Sequence, residues 1–418
     1  MGTYLGKKPL SKTHVLYISR TSMLEPLGQT QVLNYLEGLS KSVDFTLISF
    51  EKKESDDEKR EKVEIFCEKN SIDWIQIEYR NRPRFLAGFV NFWAGIVNAV
   101  KVQRRRPITF VHSRSYIPAA IALFVKKFFG VPYVFDLRGL WPEELVTSHR
   151  INRGSLAHRL IERSERYLLL NAAIVVSVTK AGTEWLCKKY GEMASLTRSY
   201  VIPGSADLDR FKVVEQQASA QLTIGCHGSI LNGWFRPDLL GRAFSVLAQR
   251  LPLAKFEIVT TSDAEQVLKA LGDTSSYSDR LRIYESSVQE MAEALSAHDL
   301  SVFFYAGGKA SELGRSPVRM GEALGCGLPV LTNSGVGDVA EIVHENEVGV
   351  IIADETDESM QAAVDQILPM IRDMKVKARC RFTAEKIFSL SVGTQSYQKL
   401  YEEMQDNKSI RNGQRICL

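Results

Sequence analysis

Short apolar runs alternate with longer amphipathic segments along the chain. Residues 14–19, HVLYIS, have the length and composition of a buried strand. Gln31 to Leu39 carries apolar residues at Val32, Leu33, Leu36 and Leu39, which is helical spacing. Phe45 to Phe50 predicts the next strand, Glu51 to Lys62 a solvated loop or helix start, and Ile75 to Glu78 a third strand. A helix is predicted over Phe85 to Val102. Thr109 to His112, Tyr133 to Asp136 and Ile174 to Ser177 read as further strands. Strands alternating with helices imply an α/β fold with a parallel sheet covered on both faces.

The stretch VIPGSADLDRF, residues 201–211, interrupts this pattern with the turn formers Pro203 and Gly204, and a polar segment follows. A second series then begins. Leu222 to Cys226, Phe256 to Val259, Leu281 to Tyr284, Leu300 to Tyr305 and Pro329 to Thr332 are predicted strands, with helices such as Gln289 to Ala297 between them. The chain of 418 residues exceeds one ordinary core. The pattern therefore predicts two Rossmann-like domains, 1–205 and 206–389, with a linker near 203–221 and a polar tail after Met404.

Composition narrows the function classes. Lys+Arg total 53 and Asp+Glu 49, a net charge of +4, too mild to argue for nucleic acid. The six cysteines show neither zinc spacing nor a disulfide framework, which fits a reducing compartment. The N-terminus lacks the apolar core of a secretory signal, no run is long enough to span a membrane, and Cys417 stands one position too late for a prenylation box.

The segment SPVRMGEALGCGLPV, residues 316–330, carries the richest local chemistry. Ser316 reads as an N-cap, Pro317 as the first helical residue, and Gly325 and Gly327 as the helix end. A helix N-terminus offers free N–H groups and a positive dipole end to a phosphate. Arg319 and Glu322 lie three apart on one face, suited either to a diphosphate and a ribose or to an ordinary surface ion pair.

GEALGCGLPVLTNSGVGDVAEIV, at 321–343, resembles the signature of the family 4 retaining glycosyltransferases, which have the GT-B fold of two Rossmann-like domains facing across a cleft. The segments VLYISRTSMLEPLGQTQVLNYLEGLSKSVDFTLISFEK, VHSRSYIPAAIA, VFDLRGLWPEE, VIPGSADLDRF and SPVRMGEALGCGLP extend the resemblance over most of the chain, toward a bacterial polysaccharide-assembly branch. The resemblance implies that Glu322 holds the donor ribose and that a C-terminal helix, about 390–405, returns to the N-terminal domain. One departure stands out. The family commonly carries Glu-x7-Glu, and here Gly314 occupies the first position. Arg315 and Glu312 are nearby polar candidates to hold the sugar.

The remaining candidates follow from the same resemblance. Gly28, in the loop after the first strand, would lie beside the donor diphosphate, against the reading of a simple tight turn. His112, at a strand end, would sit next to the reacting sugar, against a structural role. Arg114, Asp136 and Arg138 are placed on the acceptor side, with Asp136 either facing the acceptor or holding Arg138. Ser316, Pro317, Val318, Arg319, Lys309 and Arg236 are the candidates for the donor phosphates, and His112, Arg319 and Glu322 for catalysis.

The implied reaction moves a sugar from a nucleoside-diphosphate-sugar donor to a saccharide or lipid-linked acceptor, with retention, in cell-surface polysaccharide biosynthesis. The donor β-phosphate would take the acceptor proton. No cofactor and no metal are expected. The alternatives are a nucleotide-sugar epimerase of the same fold and a catalytically degenerate binding subunit. The expected location is cytoplasmic, with peripheral attachment to the inner face of the membrane through the helix at 85–102 and Lys101, Arg104, Arg105 and Arg106, unless that apolar helix packs in the core.

Overall fold

The computed structural model describes residues 13–53, 57–80, 84–191, 198–214 and 221–406. Seven parallel strands form the first sheet: His14–Ser19 (β1), Asp44–Glu51 (β2), Ile72–Glu78 (β3), Phe110–Arg114 (β4), Tyr133–Asp136 (β5), Ile174–Ser177 (β6) and Arg198–Val201 (β7), in the order β3-β2-β1-β4-β5-β6-β7. Six parallel strands form the second: Thr223–His227 (β8), Lys255–Val259 (β9), Leu281–Tyr284 (β10), Leu300–Val302 (β11), Val330–Asn333 (β12) and Gly349–Ile352 (β13), ordered β10-β9-β8-β11-β12-β13. Each sheet reverses its winding beside its first strand. The carboxyl ends of β1, β4 and β8, β11 therefore flank a crevice, the usual ligand position in doubly wound sheets. His112 and Arg114 end β4, and Asp136 ends β5, at that edge.

Burial explains the strands. β1, β4, β5, β6 and β12 are buried along their whole length, as apolar runs covered on both faces require. The sequence pattern misses β7, because three of its four residues, Arg198, Ser199 and Val201, are exposed. The second domain has one core, which includes Phe244, Phe256, Phe303 and Phe304. The first has a core on each face of its sheet.

The chain crosses between domains twice. It leaves the first through Pro203–Phe211 and returns at Phe388–Ser389. The two crossings touch: the Ala206 amide donates to the Phe388 carbonyl at 2.8 Å, and Ala206 bridges Ser389. The returning helix Leu390–Asp406 then buries Tyr397, Leu400, Tyr401 and Met404 in the first domain's core. The helix Arg84–Arg105 is apolar on two sides. Ile96, Ala99 and Val102 pack inward, while Phe89 and Trp93 are 62% and 43% exposed. No helix among the described residues is long and apolar enough to cross a membrane, and the five described cysteines are free.

Candidate active site

A cavity of about 590 Å³ lies where the two sheet edges meet. The first domain lines it with Leu27, Gln31, Arg114, Arg138 and Glu144, the second with Trp234, Phe235, Tyr305 and residues 314–319.

On the second wall the helix Val318–Gly325 points its N-terminus at the cavity. Its start differs from the sequence expectation by one position. Pro317 is extended and occupies the N-cap rather than the first helical turn, and no side chain caps the helix. Ser316 is not the cap: its hydroxyl accepts from the Gly204 amide of the other domain at 3.2 Å. The physical reason is the interdomain contact, which takes the hydroxyl a cap would use. The first amides of this helix thus stay available to an anion.

Arg319 extends from that first turn over the loop after β8. Its guanidinium lies 4.8 Å from the centre of the Phe235 ring and donates to the Ser229 carbonyl at 2.9 Å, while Nη1 has no partner. Gly228, with φ of +88°, makes room for it, because a Cβ there would press on the guanidinium. Glu322, one turn on, does not pair with Arg319. Its carboxylate meets His227 Nε2 at 3.1 Å. Burial pushes the His227 ring below its ordinary pKa, against the pull of Glu322. In the neutral tautomer that donates from Nε2 to the carboxylate, Nδ1 has no partner. His227 was not among the sequence candidates. Its signal was available, since it ends the first strand of its domain immediately before Gly228.

Gly314 is filled from across the cleft. A Cβ there would press on Leu140, so no Glu side chain fits at that position without displacing the first domain. Glu312 and Glu144 line the cavity instead. Glu312 pairs with Arg315 at 3.2 Å, and the Arg315 guanidinium stacks 3.1 Å from the centre of the Trp234 ring. Burial raises the pKa of both carboxyls, and Arg315 opposes it.

On the first wall Asp136 is fully buried. It receives the Tyr397 hydroxyl at 2.9 Å and His112 Nε2 at 3.3 Å, and lies 3.5 Å from Arg138 and 3.8 Å from Arg114. Burial pushes its carboxyl up, but Arg138, His112 and Arg114 outweigh this and hold it far below the usual carboxylate range. Asp136 thus holds the arginines and does not itself line the cavity. His112 is not among the residues that line the cavity. It is 1% exposed, its ring stacks on Tyr17 at 4.4 Å, and both ring nitrogens are taken, Nδ1 by Tyr401 at 2.8 Å and Nε2 by Asp136. It joins the returning helix to the wall.

Three further candidates, like Glu322, are not among the residues that line the cavity. Gly28 is buried against its own loop, and a Cβ would strike the Ser22 carbonyl; the close approach is to protein backbone, not ligand. Arg236 is engaged by Asp238 and Glu355, at 2.6 Å from each, outside the cavity lining. Lys309 is exposed at the start of helix Ala310–Leu313, also outside the lining.

The domains are latched beside the cavity. Asp338 accepts from the Lys180 and Ala181 amides, both at 2.8 Å, at the N-terminus of the helix Lys180–Tyr190. Thr179 donates to the Leu313 carbonyl at 2.6 Å; within the first domain, Gln31 fixes the start of the crossing by binding Ser205 with both ends of its amide. Away from the cleft, Glu143, His158 and Glu162 come together, but Lys189 and Arg153 already neutralise that group.

Two family models match the chain, one on each domain: Glycosyltransferase Family 4 over residues 28–210, and Glycosyl transferases group 1 over residues 221–369. A glycosyltransferase from Rickettsia africae ESF-5 superposes with a TM-score of 0.70 at 15% identity, over 96% of this chain and 100% of that one. Sucrose-phosphate synthase from Thermosynechococcus elongatus gives 0.69 at 13%, over 94% and 99%. Anabaena HepE, solved with UDP and glucose, gives 0.62 at 15%, over 93% and 99%. No curated protein matches in sequence.

Proposed function

The chain belongs to the family 4 glycosyltransferases and has the GT-B fold, and from that premise we propose that it transfers a sugar from a nucleoside diphosphate donor to a saccharide or lipid-linked acceptor, with retention, in cell-surface polysaccharide assembly. The observation that carries the reading is the helix Val318–Gly325, uncapped and pointed into the interdomain cavity, with Arg319 on its first turn and Glu322 held by His227 on its second. The departing diphosphate is the chemical difficulty in such a transfer. Amides at a helix N-terminus and one guanidinium offset charge as it develops on the leaving phosphate, without needing to reorient. Glu322 accepts the ribose hydroxyls, and His227 holds its carboxylate from behind. The β-phosphate takes the acceptor proton, so the reading requires no protein base, cofactor or metal. HepE, solved with UDP and glucose on the same fold, supports a nucleotide-sugar donor.

A lipid-linked acceptor places the work at the inner membrane face. Phe89, Trp93 and Val97 are exposed on helix Arg84–Arg105, Phe128 on helix Tyr116–Phe129, and Leu156 and Leu160 on helix Leu156–Asn171. Trp93 reaches Phe124, and Phe124 reaches Phe128, so the aromatic strip is continuous across two of these helices. Lys101, Arg104, Arg105, Lys127, Arg159 and Arg163 are exposed on the same helices. Apolar side chains bordered by cations suit an anionic bilayer surface.

The test is a thermal-shift screen of UDP, GDP and ADP followed by transfer assays from the matching nucleotide sugars. A nucleotide at a hundred times its Kd stabilises the folded protein by about 2.7 kcal/mol. If none of them raises the melting temperature, the donor reading fails.

A further inference from the structure

The first wall of the cavity carries guanidinium donors that no acceptor satisfies. Arg114 and Arg138 share one carboxylate, Asp136, which Tyr397 and His112 already occupy. The separations, 3.8 and 3.5 Å, exceed those of charge-assisted hydrogen bonds. Arg114 is only 4% exposed, yet its Nε and Nη1 meet no acceptor, and Arg138 Nη1 also lacks one. Buried donors without partners are costly and rare in folded proteins. Both arginines line the cavity. Arg138 is further held at a φ of +23°, a conformation that a residue with a side chain adopts only when its surroundings impose it. The carboxylates on the same cavity do not fill the gap, because Glu312 is paired to Arg315 and Glu144 lies in the field of the same guanidinium.

We propose that Arg114 and Arg138 form a subsite for a carboxylate or phosphate borne by one of the two substrates, opposite the helix that receives the donor diphosphate. The inference rests on the two-substrate reading above. A carboxylate or phosphate oxygen pair matches the forked donors of a guanidinium, and Asp136 keeps both forks in place from behind. The anion is carried either by the donor sugar, as a uronic acid, or by the acceptor, as a phosphate.

Calorimetry on the full chain separates the sources. UDP, UDP-glucose and UDP-glucuronate are titrated, and inorganic phosphate is titrated into the UDP complex. An anion on the donor sugar gives UDP-glucuronate an advantage over UDP-glucose of about ten- to a hundredfold. An anion on the acceptor gives phosphate binding beside UDP and no such advantage. In either case Arg114→Gln and Arg138→Gln abolish the effect while UDP affinity is unchanged, and Arg→Lys at either position gives an intermediate loss. The proposal is overturned if the wild type shows neither effect, if the effect survives both substitutions, or if well-folded variants lose UDP, which would assign the arginines to the donor diphosphate. A Gln variant without a cooperative melting transition is set aside and its Lys counterpart decides. If UDP, GDP and ADP all fail to bind the wild type, the donor reading falls; the phosphate titration on the free protein still tests the arginines.

Discussion

On the N-terminal side of the cleft the charged groups are side chains packed out of reach of water, while on the C-terminal side much of the charge is backbone. Asp136, His112 and Arg114 are all at least nine-tenths buried, and the wall they form is buttressed by Tyr397 and Tyr401 from the far end of the chain. The second wall relies on the N-terminus of Val318–Gly325, with Arg319 and Glu322 half-exposed. The first arrangement gains precision at a high cost if any member is removed. The second is inexpensive, since the amides are there by virtue of the helix, and its side chains can change with less damage. Function and stability should therefore separate on the second wall and stay bound together on the first.

The largest expected effect is at Asp136. Asp136→Asn keeps the shape and removes the charge that compensates two buried guanidiniums, which should cost about 3–5 kcal/mol of stability. Denaturant unfolding reads this directly. A loss under about 1 kcal/mol would mean that the first wall is not held by charge.

Glu322→Ala should act mainly on binding. Losing a hydrogen bond from a charged group costs about 1.5–3 kcal/mol, or roughly ten- to a hundredfold in nucleotide affinity. The ligand-free protein should lose about 1–3 kcal/mol, because His227 Nε2 loses its acceptor, which is less than at Asp136. Equal nucleotide affinity in titrations of the two proteins would remove Glu322 from the ribose.

The walls should also part under acid. Burial lowers the pKa of His14 and His112 in the first domain and of His227 in the second. Between each folded pKa and the ordinary 6.5, the unfolded chain binds more protons than the native one. The stability from keeping these rings neutral is thus complete above about pH 6.5 and falls as pH drops below it. Calorimetric scans from pH 7 to pH 5 should show the first domain's transition falling further. A parallel fall in both, or none, contradicts the difference.

The smallest effect is expected at Arg236. Its two carboxylate partners already hold it outside the cavity, so Arg236→Gln should leave nucleotide affinity within about twofold and lower stability by under about 1 kcal/mol. A tenfold loss of affinity would show that the loop after β8 rearranges to deliver this cation.

Much of this fold is legible in the chain because buried strands announce themselves. Tyr133–Asp136 and Ile174–Ser177 are short apolar runs, and the structure ends them at the residues the pattern does. Arg198–Val201 is not legible, since an edge strand needs no apolar run. At the site, the helix itself could be read to within one residue of its start, because its spacing is local. The fate of His112 could not. Its partners Asp136 and Tyr401 lie 24 and 289 residues away, and no periodicity connects them. Ser316 failed as a cap for the same reason, as its acceptor serves an amide 112 residues earlier. Gly28 leaves a ligand and a tight turn open, because a glycine shows that something comes close without showing what; here the Ser22 carbonyl comes close.

The return of helix Leu390–Asp406 sets an order of events during synthesis. The strands of the first domain leave the ribosome long before residues 397–404, yet Tyr397, Leu400, Tyr401 and Met404 complete one of its two cores. Domains ordinarily fold as units, N-terminal first, as the chain emerges. Here the second domain, whose elements end by Ile387, has its whole core in hand earlier than the first. The domain made first is finished last, and until then the face around Phe45, Phe110 and the Asp136 cluster waits uncovered.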